Sequence, residues 1–253
     1  MSNRTEVISA NTVEEAVWDA ILKTINKFRE QPYYFFTESD LHSYFYHCLY
    51  NSKLECVRND GKRVCLIHRE YPTNFRFRKR DLNNANCEVF ALKGRKGDRG
   101  NYDFAVLNPE FVINEDVTIG DIVNKDVKLL EKRVSQNPDS VRSELLFAME
   151  FKFVTRNSRQ FWHEIAADTR KLQFAKEHQA KNAVNLVFTK LDDEKTYIPK
   201  IAKSVSDDES DVMTVFVSSY YDENSRKVTN KPTLSMAARQ RGEFEKWLDV
   251  NAS

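Results

Sequence analysis

Two short stretches set charged side chains into otherwise apolar runs: AMEFKFV, residues 148–154, carries Glu150 and Lys152, and NYDFAVL, residues 101–107, carries Asp103. Residues two apart on a strand share a face, so Glu150 and Lys152 would lie along one side with Leu146 and Ala148, while Leu145, Phe147, Met149, Phe151 and Phe153 line the other. Asp103 would share a face with Ala105 and Leu107, opposite Tyr102, Phe104 and Val106. Neighbouring strands sit ~4.8 Å apart, close enough for Asp103 and Glu150 to offer oxygens to one hard cation such as Mg²⁺, whose ligands lie at ~2.0 to 2.1 Å. Lys152, one pleat further, would flank a phosphate there.

The plain alternative is that Glu150 and Lys152 decorate the solvent side of an amphipathic strand. The elements around them oppose it. RQFWHEIAADTRKLQFAKEHQ reads as a long helix with Phe161, Ile165, Leu172 and Ala175 inward, and AVNLVFTK as a buried strand after it. Strand, helix, strand is a crossover unit that covers a sheet, and a desolvated charge costs several kcal/mol unless it is paired or bound to a metal.

The rest of the chain supplies the frame. Thr12 and Glu15 have capping-box spacing, and Val13, Val17, Ala20, Ile21, Ile25 and Phe28 recur at helical spacing to about Arg29. Thr37 and Asp40 cap a second helix with a stripe of Leu41, Tyr44, Phe45, Cys48 and Leu49. LECV, a turn at NDG and KRVCLIHREY read as a hairpin whose second arm ends at Pro72. Residues 74 to 99 read as irregular and basic. Asn108 and Pro109 stop the Asp103 strand, the apolar face between Thr118 and Gln136 predicts a helical insertion, SDDESD is a solvated loop, MTVFVSSYY a last strand, and EFEKWLDV part of a C-terminal helix. The expected class is α/β, on a central mixed sheet flanked by helices.

An acid on one strand, E-x-K on the next and a crossover helix behind resemble the PD-(D/E)XK nuclease superfamily, whose fold is called restriction-endonuclease-like. Asp103, Glu150 and Lys152 match its core motif across roughly Thr37 to Lys190. Tyr102 stands where the motif has proline, and the insertion at 108–143 lengthens the gap between the two acids. The resemblance implies that Asp103 and Glu150 bind Mg²⁺, with Mn²⁺ able to substitute, and that Lys152 assists the attacking water and the phosphate. The length fits one domain over 1–253, expected as an N-terminal helical extension at 1–33, the core at 34–220, and a C-terminal helical extension at 221–253. Members often carry a glutamate on the helix before the sheet, where Glu38 stands; a first-turn capping acid is the other reading. Glu70, sharing a strand face with His68, would add a carboxylate, or else pair with an arginine. Asp168 and Lys171 read as an i,i+3 surface pair.

NFRFRKR interleaves two aromatics with four basic residues, and KGRKGDRG adds four more. Arg76, Arg78, Lys79, Arg80, Arg95, Lys96 and Arg99 are therefore the candidate phosphate contacts, double-stranded DNA being the expected substrate. A solvated loop is the competing reading. Overall balance is near neutral, 39 Lys and Arg against 38 Asp and Glu, so a polyanion would have to be met by such a local patch. Cys48, Cys56, Cys65 and Cys87 form no C-x-x-C pair, which argues against a structural zinc site and against a disulfide framework. With no apolar run near the ~20 residues of a membrane span, the expectation is a cytoplasmic protein. Cutting both strands would call for a homodimer, with the first helix or Leu129 and Leu130 as interface. A non-catalytic module that only binds nucleic acid or a protein is the alternative.

Overall fold

A computed structural model describes residues 8–58, 61–78, 88–91, 96–114, 144–156, 158–191, 212–222 and 227–229. The expected insertion helix with Leu129 and Leu130, the SDDESD loop, the C-terminal helix, and Lys79, Arg80, Cys87 and Arg95 lie outside these residues.

Helix α1 spans Ala10–Glu30, and its cap is Ser9, whose hydroxyl accepts from the Thr12 amide, rather than Thr12 itself. The expected apolar stripe holds, with Val13, Val17, Ala20, Ile21, Ile25 and Phe28 all buried. A single 3-10 turn at Pro32–Tyr34 leads to α2, Glu38–Asn51. Here the expected capping box forms: the Thr37 hydroxyl accepts from the Asp40 amide, and Asp40 accepts from the amides of Phe36 and Thr37. The buried stripe of α2 is Leu41, His42, Phe45 and Leu49, with Tyr44 and Cys48 only half-buried.

The hairpin around Gly61 is shorter than its sequence pattern, β1 being Glu55–Val57 and β2 Arg63–Cys65. Gly61 takes a φ of 79°, which explains a glycine at that turn. Strand β3 then runs from Ile67 to Phe77, straight through Pro72. The register slips between Pro72 and Arg76, so the missing proline N–H falls at a bulge, where a sheet tolerates it. Part of the segment expected to be irregular is therefore sheet: Phe75 and Phe77 are buried, and Arg76 alternates between them. The basic character of NFRFRKR concealed a period-two pattern.

Strands β4, Val89–Ala91, and β5, Asp98–Leu107, follow, then a short helix α3, Pro109–Asn114, then β6, Leu145–Val154. Helix α4, Arg159–His178, crosses over to β7, Ala180–Thr189, and β8 is Met213–Ser218. The six-stranded sheet has the order β4-β3-β5-β6-β7-β8, antiparallel from β4 to β6 and parallel from β6 to β8. The chain is thus α/β, with a mixed central sheet between helices. MTVFVSSYY is not one strand: it breaks at Ser219, and β9, Tyr220–Asp222, pairs with β10, Lys227–Thr229, in a separate ribbon.

The core is aromatic where α1 and α2 meet the sheet. Phe28 packs edge-on against Phe153 and Phe188, and Phe45 against Phe104. Helix α4 covers β6 and β7. Consequently every residue of β6 except Lys152 is buried, on both faces, as a strand inside a crossover unit should be. Among the described residues no helix is long and apolar enough to cross a membrane.

Candidate active site

The β5–β6 ladder runs through Leu107/Leu145 and Phe104/Met149 and stops there. Beyond it β5 stays paired with β3 out to Asp98, while β6 stays paired with β7 out to Val154. The strands part, and buried backbone amides on the β5 side of β6 need other acceptors. Two carboxylates supply them. Asp103 Oδ2 accepts from the Phe151 amide at 2.7 Å, and Glu38 Oε2 accepts from the Phe153 amide at 3.0 Å. Asp103 is the β5 residue just past the last pair, and Glu38 is delivered by the first turn of α2, one helical turn before His42.

These two acids and His42 form one group, their ligand atoms all within 4.8 Å of one another. His42 is 7% exposed, and its Nε2 faces Asp103 Oδ2 at 3.6 Å, beyond hydrogen-bond distance. Its Nδ1 lies 3.2 Å from Arg69 Nη2. A guanidinium only donates, so Nδ1 accepts and the ring proton sits on Nε2. Burial alone would raise Asp103, but the His42 ring, the Phe151 amide and Lys171 outweigh it and hold the carboxyl below the usual range.

Glu150 contacts α4. It is 3% exposed and its Oε1 is 2.6 Å from Lys171 Nζ on α4, while the same ammonium donates to the Asn101 carbonyl at 2.9 Å and lies 3.8 Å from Asp168 Oδ1. Burial pushes Glu150 up, opposed by Lys171; burial would lower Lys171, but Glu150 and Asp168 outweigh it and hold that ammonium up. At 2.6 Å the contact has the length of a carboxylate–ammonium pair. Asp168 is itself pushed up to about 6, by burial first, against the pull of Lys171 and Lys152.

Lys152 points into three carboxylates, Glu38 at 3.6 Å, Glu164 at 3.6 Å and Asp168 at 3.9 Å. Burial works to lower it, and Asp168, Glu38 and Glu164 outweigh burial and keep it above its ordinary value. Asp168 therefore bridges both lysines, one oxygen to each, and the charges alternate from Glu150 through Lys171, Asp168 and Lys152 to Glu38.

Of the residues the sequence pointed to, Asp103, Lys152 and Glu38 converge where the strands part, and Glu150 joins them through Lys171 and Asp168. Glu70 does not join. It is exposed, takes a φ of 53°, and makes no ion pair with this group among the described residues. His68 turns its Nε2 to the Cys65 carbonyl at 3.0 Å. Asp168 and Lys171 do form the expected i,i+3 pair, but not on the surface: their side chains are 20% and 12% exposed and line the site. His42, Glu164, Asp168 and Lys171 were not read as site residues. Their signal was helical spacing, since Glu38 and His42 are i,i+4, and Glu164, Asp168 and Lys171 fall at i, i+4 and i+7 on one face of α4.

Of the basic candidates, Arg76 donates to the Gly97 carbonyl at 3.2 Å, and Arg99 donates to the Thr73 carbonyl at 2.6 Å, so both tie strands together. Arg78 and Lys96 are exposed and lie over the Phe90 ring.

Comparison with family models, curated proteins and solved structures gave no match.

The donor set fits a divalent cation. Two carboxylates and an imidazole from α2 and β5 converge, and the His42 Nε2 is buried without a hydrogen-bond partner among the described residues. Ligation through Nε2 requires its proton to move to Nδ1 and Arg69 to turn away, which the exposure of Arg69 permits.

Proposed function

We propose that the chain is a divalent-metal-dependent nuclease of restriction-endonuclease-like fold, hydrolysing phosphodiester bonds of DNA by attack of water. The observation that supports this best is the convergence of Asp103, Glu38 and Lys152 at the point where β5 and β6 part, with Glu150 joined to them through Lys171 and Asp168. Where the central strands part, the chain gathers five acids, Glu38, Asp103, Glu150, Glu164 and Asp168, with one imidazole and two lysines. The ligands of the ion would be Asp103, Glu38 and His42. What a bound divalent ion supplies is Lewis acidity, which makes water a better nucleophile and draws charge from the phosphoryl oxygens. Lys152, held charged by its three carboxylates, would lie against the phosphate and stabilise the charge that develops on it. Arg78 and Lys96 are the exposed cations for the substrate backbone.

One observation favours a second reading. Lys152 and Lys171 are already balanced by carboxylates, Glu150 among them buried, as in a structural charge network of a non-catalytic module that binds nucleic acid or a protein. Incubation of supercoiled and linear plasmid, and of RNA, with purified protein in Mg²⁺ or Mn²⁺ separates the two. Metal-dependent cutting that disappears with chelator and in Lys152→Ala supports the nuclease. Nucleic-acid binding without cutting, indifferent to metal, supports the module.

A further inference from the structure

We infer that the Lys171 ammonium stands where a second divalent cation would otherwise sit, so that this chain takes one ion, at Glu38, His42 and Asp103, and supplies the second positive charge from its own side chain. The inference rests on the metal-site reading given above.

Three oxygens from three elements face Lys171 Nζ: Glu150 Oε1 of β6 at 2.6 Å, the Asn101 carbonyl of β5 at 2.9 Å and Asp168 Oδ1 of α4 at 3.8 Å. Carboxylates and a backbone carbonyl are the donors a hard cation uses. The two nearer distances are those of a hydrogen-bonded ammonium, well beyond the ~2.0 to 2.1 Å of a Mg²⁺ shell. The lysine is also seated along its length. Its Cδ would lie 3.4 Å from a Cβ placed on Gly100, a position already closed on the other side by the Phe77 ring at 2.7 Å, so the stem runs past a residue that has no side chain. A surface lysine swinging into a cleft would have no such track.

Charge count argues the same way. A buried carboxylate needs a proton or a cation, and Lys171 is the cation Glu150 has. A divalent ion added beside Glu150 would face Lys171 directly and Lys152 across Asp168. Like charges a few ångströms apart in a buried site repel strongly, so an ion enters there only if Lys171 leaves. At the Glu38, His42 and Asp103 group the nearby ammonium is Lys152, 3.6 Å from Glu38 Oε2, and it is shared with Glu164 and Asp168. Lys171 is thus a positioning residue: it fixes Glu150 and sets the number of ions.

Counting bound Mn²⁺ per chain by electron paramagnetic resonance and calorimetry, at pH 7.5 and without nucleic acid, tests this on the full chain. Wild type should bind one ion, and Lys171→Ala should bind two, the second lost again when Glu150→Gln is added. Lys171→Met keeps the stem over Gly100 while removing the charge, and should also bind two. If either variant is unfolded without metal, it should regain a cooperative melt at millimolar Mn²⁺, because vacated carboxylates that take an ion stabilise the folded state by mass action. Two ions on wild type, one ion on a folded variant, or variants that no Mn²⁺ concentration refolds would each overturn the inference. No ion on wild type would overturn the metal-site reading itself, and with it this one.

Discussion

Asp103 Oδ2 accepts the Phe151 amide at 2.7 Å, closing a backbone gap that opens because β5 and β6 stop pairing one residue earlier. The same carboxylate lies within 4.8 Å of Glu38 and His42 ligand atoms, so one side chain both terminates a ladder and faces the proposed ion. Asp103→Asn keeps an oxygen for the amide and should change unfolding free energy by less than about 1 kcal/mol, whereas Asp103→Ala leaves a buried N–H unpaired and should cost about 1–3 kcal/mol. Both should lower cleavage at least about 100-fold, a loss typical of removing one electrostatic stabiliser. Urea titration and plasmid cleavage on the two variants check this; an active Asp103→Asn would reduce the residue to a backbone cap.

Lys152 sits among Glu38, Glu164 and Asp168 within 4.0 Å of each. Lys152→Met should reduce cleavage by roughly 10²–10⁴ while the melting temperature still rises with Mn²⁺, since the lysine contributes to the reacting phosphate and not to the ion. Loss of the Mn²⁺ response along with activity would mean that the lysine only organises the carboxylates.

Arg69 donates to His42 Nδ1 at 3.2 Å and so favours the tautomer that cannot ligate through Nε2. Arg69→Ala removes that bias and a nearby positive charge, and should tighten Mn²⁺ binding severalfold by calorimetry. Unchanged or weaker binding would exclude His42 as a ligand.

Asp168 is pushed up to about 6 from 3.8, so between these pH values the folded chain holds a proton that the unfolded chain has lost. Its contribution to stability is complete below about 4 and is lost as pH rises through 6. Relative to Asp168→Asn, wild type should therefore lose stability over that window, by at most on the order of 3 kcal/mol, and run parallel to the variant above it. Chemical denaturation from pH 4 to 8 reads the difference; a relative gain with rising pH would show that the two lysines, and not burial, control this carboxyl.

Tyr71 donates to Glu144 Oε1 at 2.7 Å, with both side chains buried and away from the parted strands. Tyr71→Phe should cost about 1–3 kcal/mol of stability by leaving a buried acceptor short of a donor, and should leave cleavage unchanged at a temperature where the variant is folded. A drop in cleavage at full folding would link Glu144 to the site.

The order of elements was legible in the chain because its signals are local. Helix periodicity placed α1 and α4, the Thr37 and Asp40 capping box placed α2, and the apolar run LLFAMEFKFV placed β6 with its two charges on one side. Strand β3 was harder to read, because Arg and Phe alternate in NFRFRKR and the charge masked the pleat. What only the tertiary structure decided is which charges meet. Glu38 and Phe153 are 115 positions apart, and Asp103 and Phe151 are 48 apart. Their meeting depends on where β5 leaves β6, on how α2 lands over the gap, and on which face of α4 turns to the sheet. Spacing along one element shows which side chains share a face, while register and packing between elements select the partner each face receives. That is why the Glu150 carboxylate meets Lys171 of α4, a partner that strand spacing does not show.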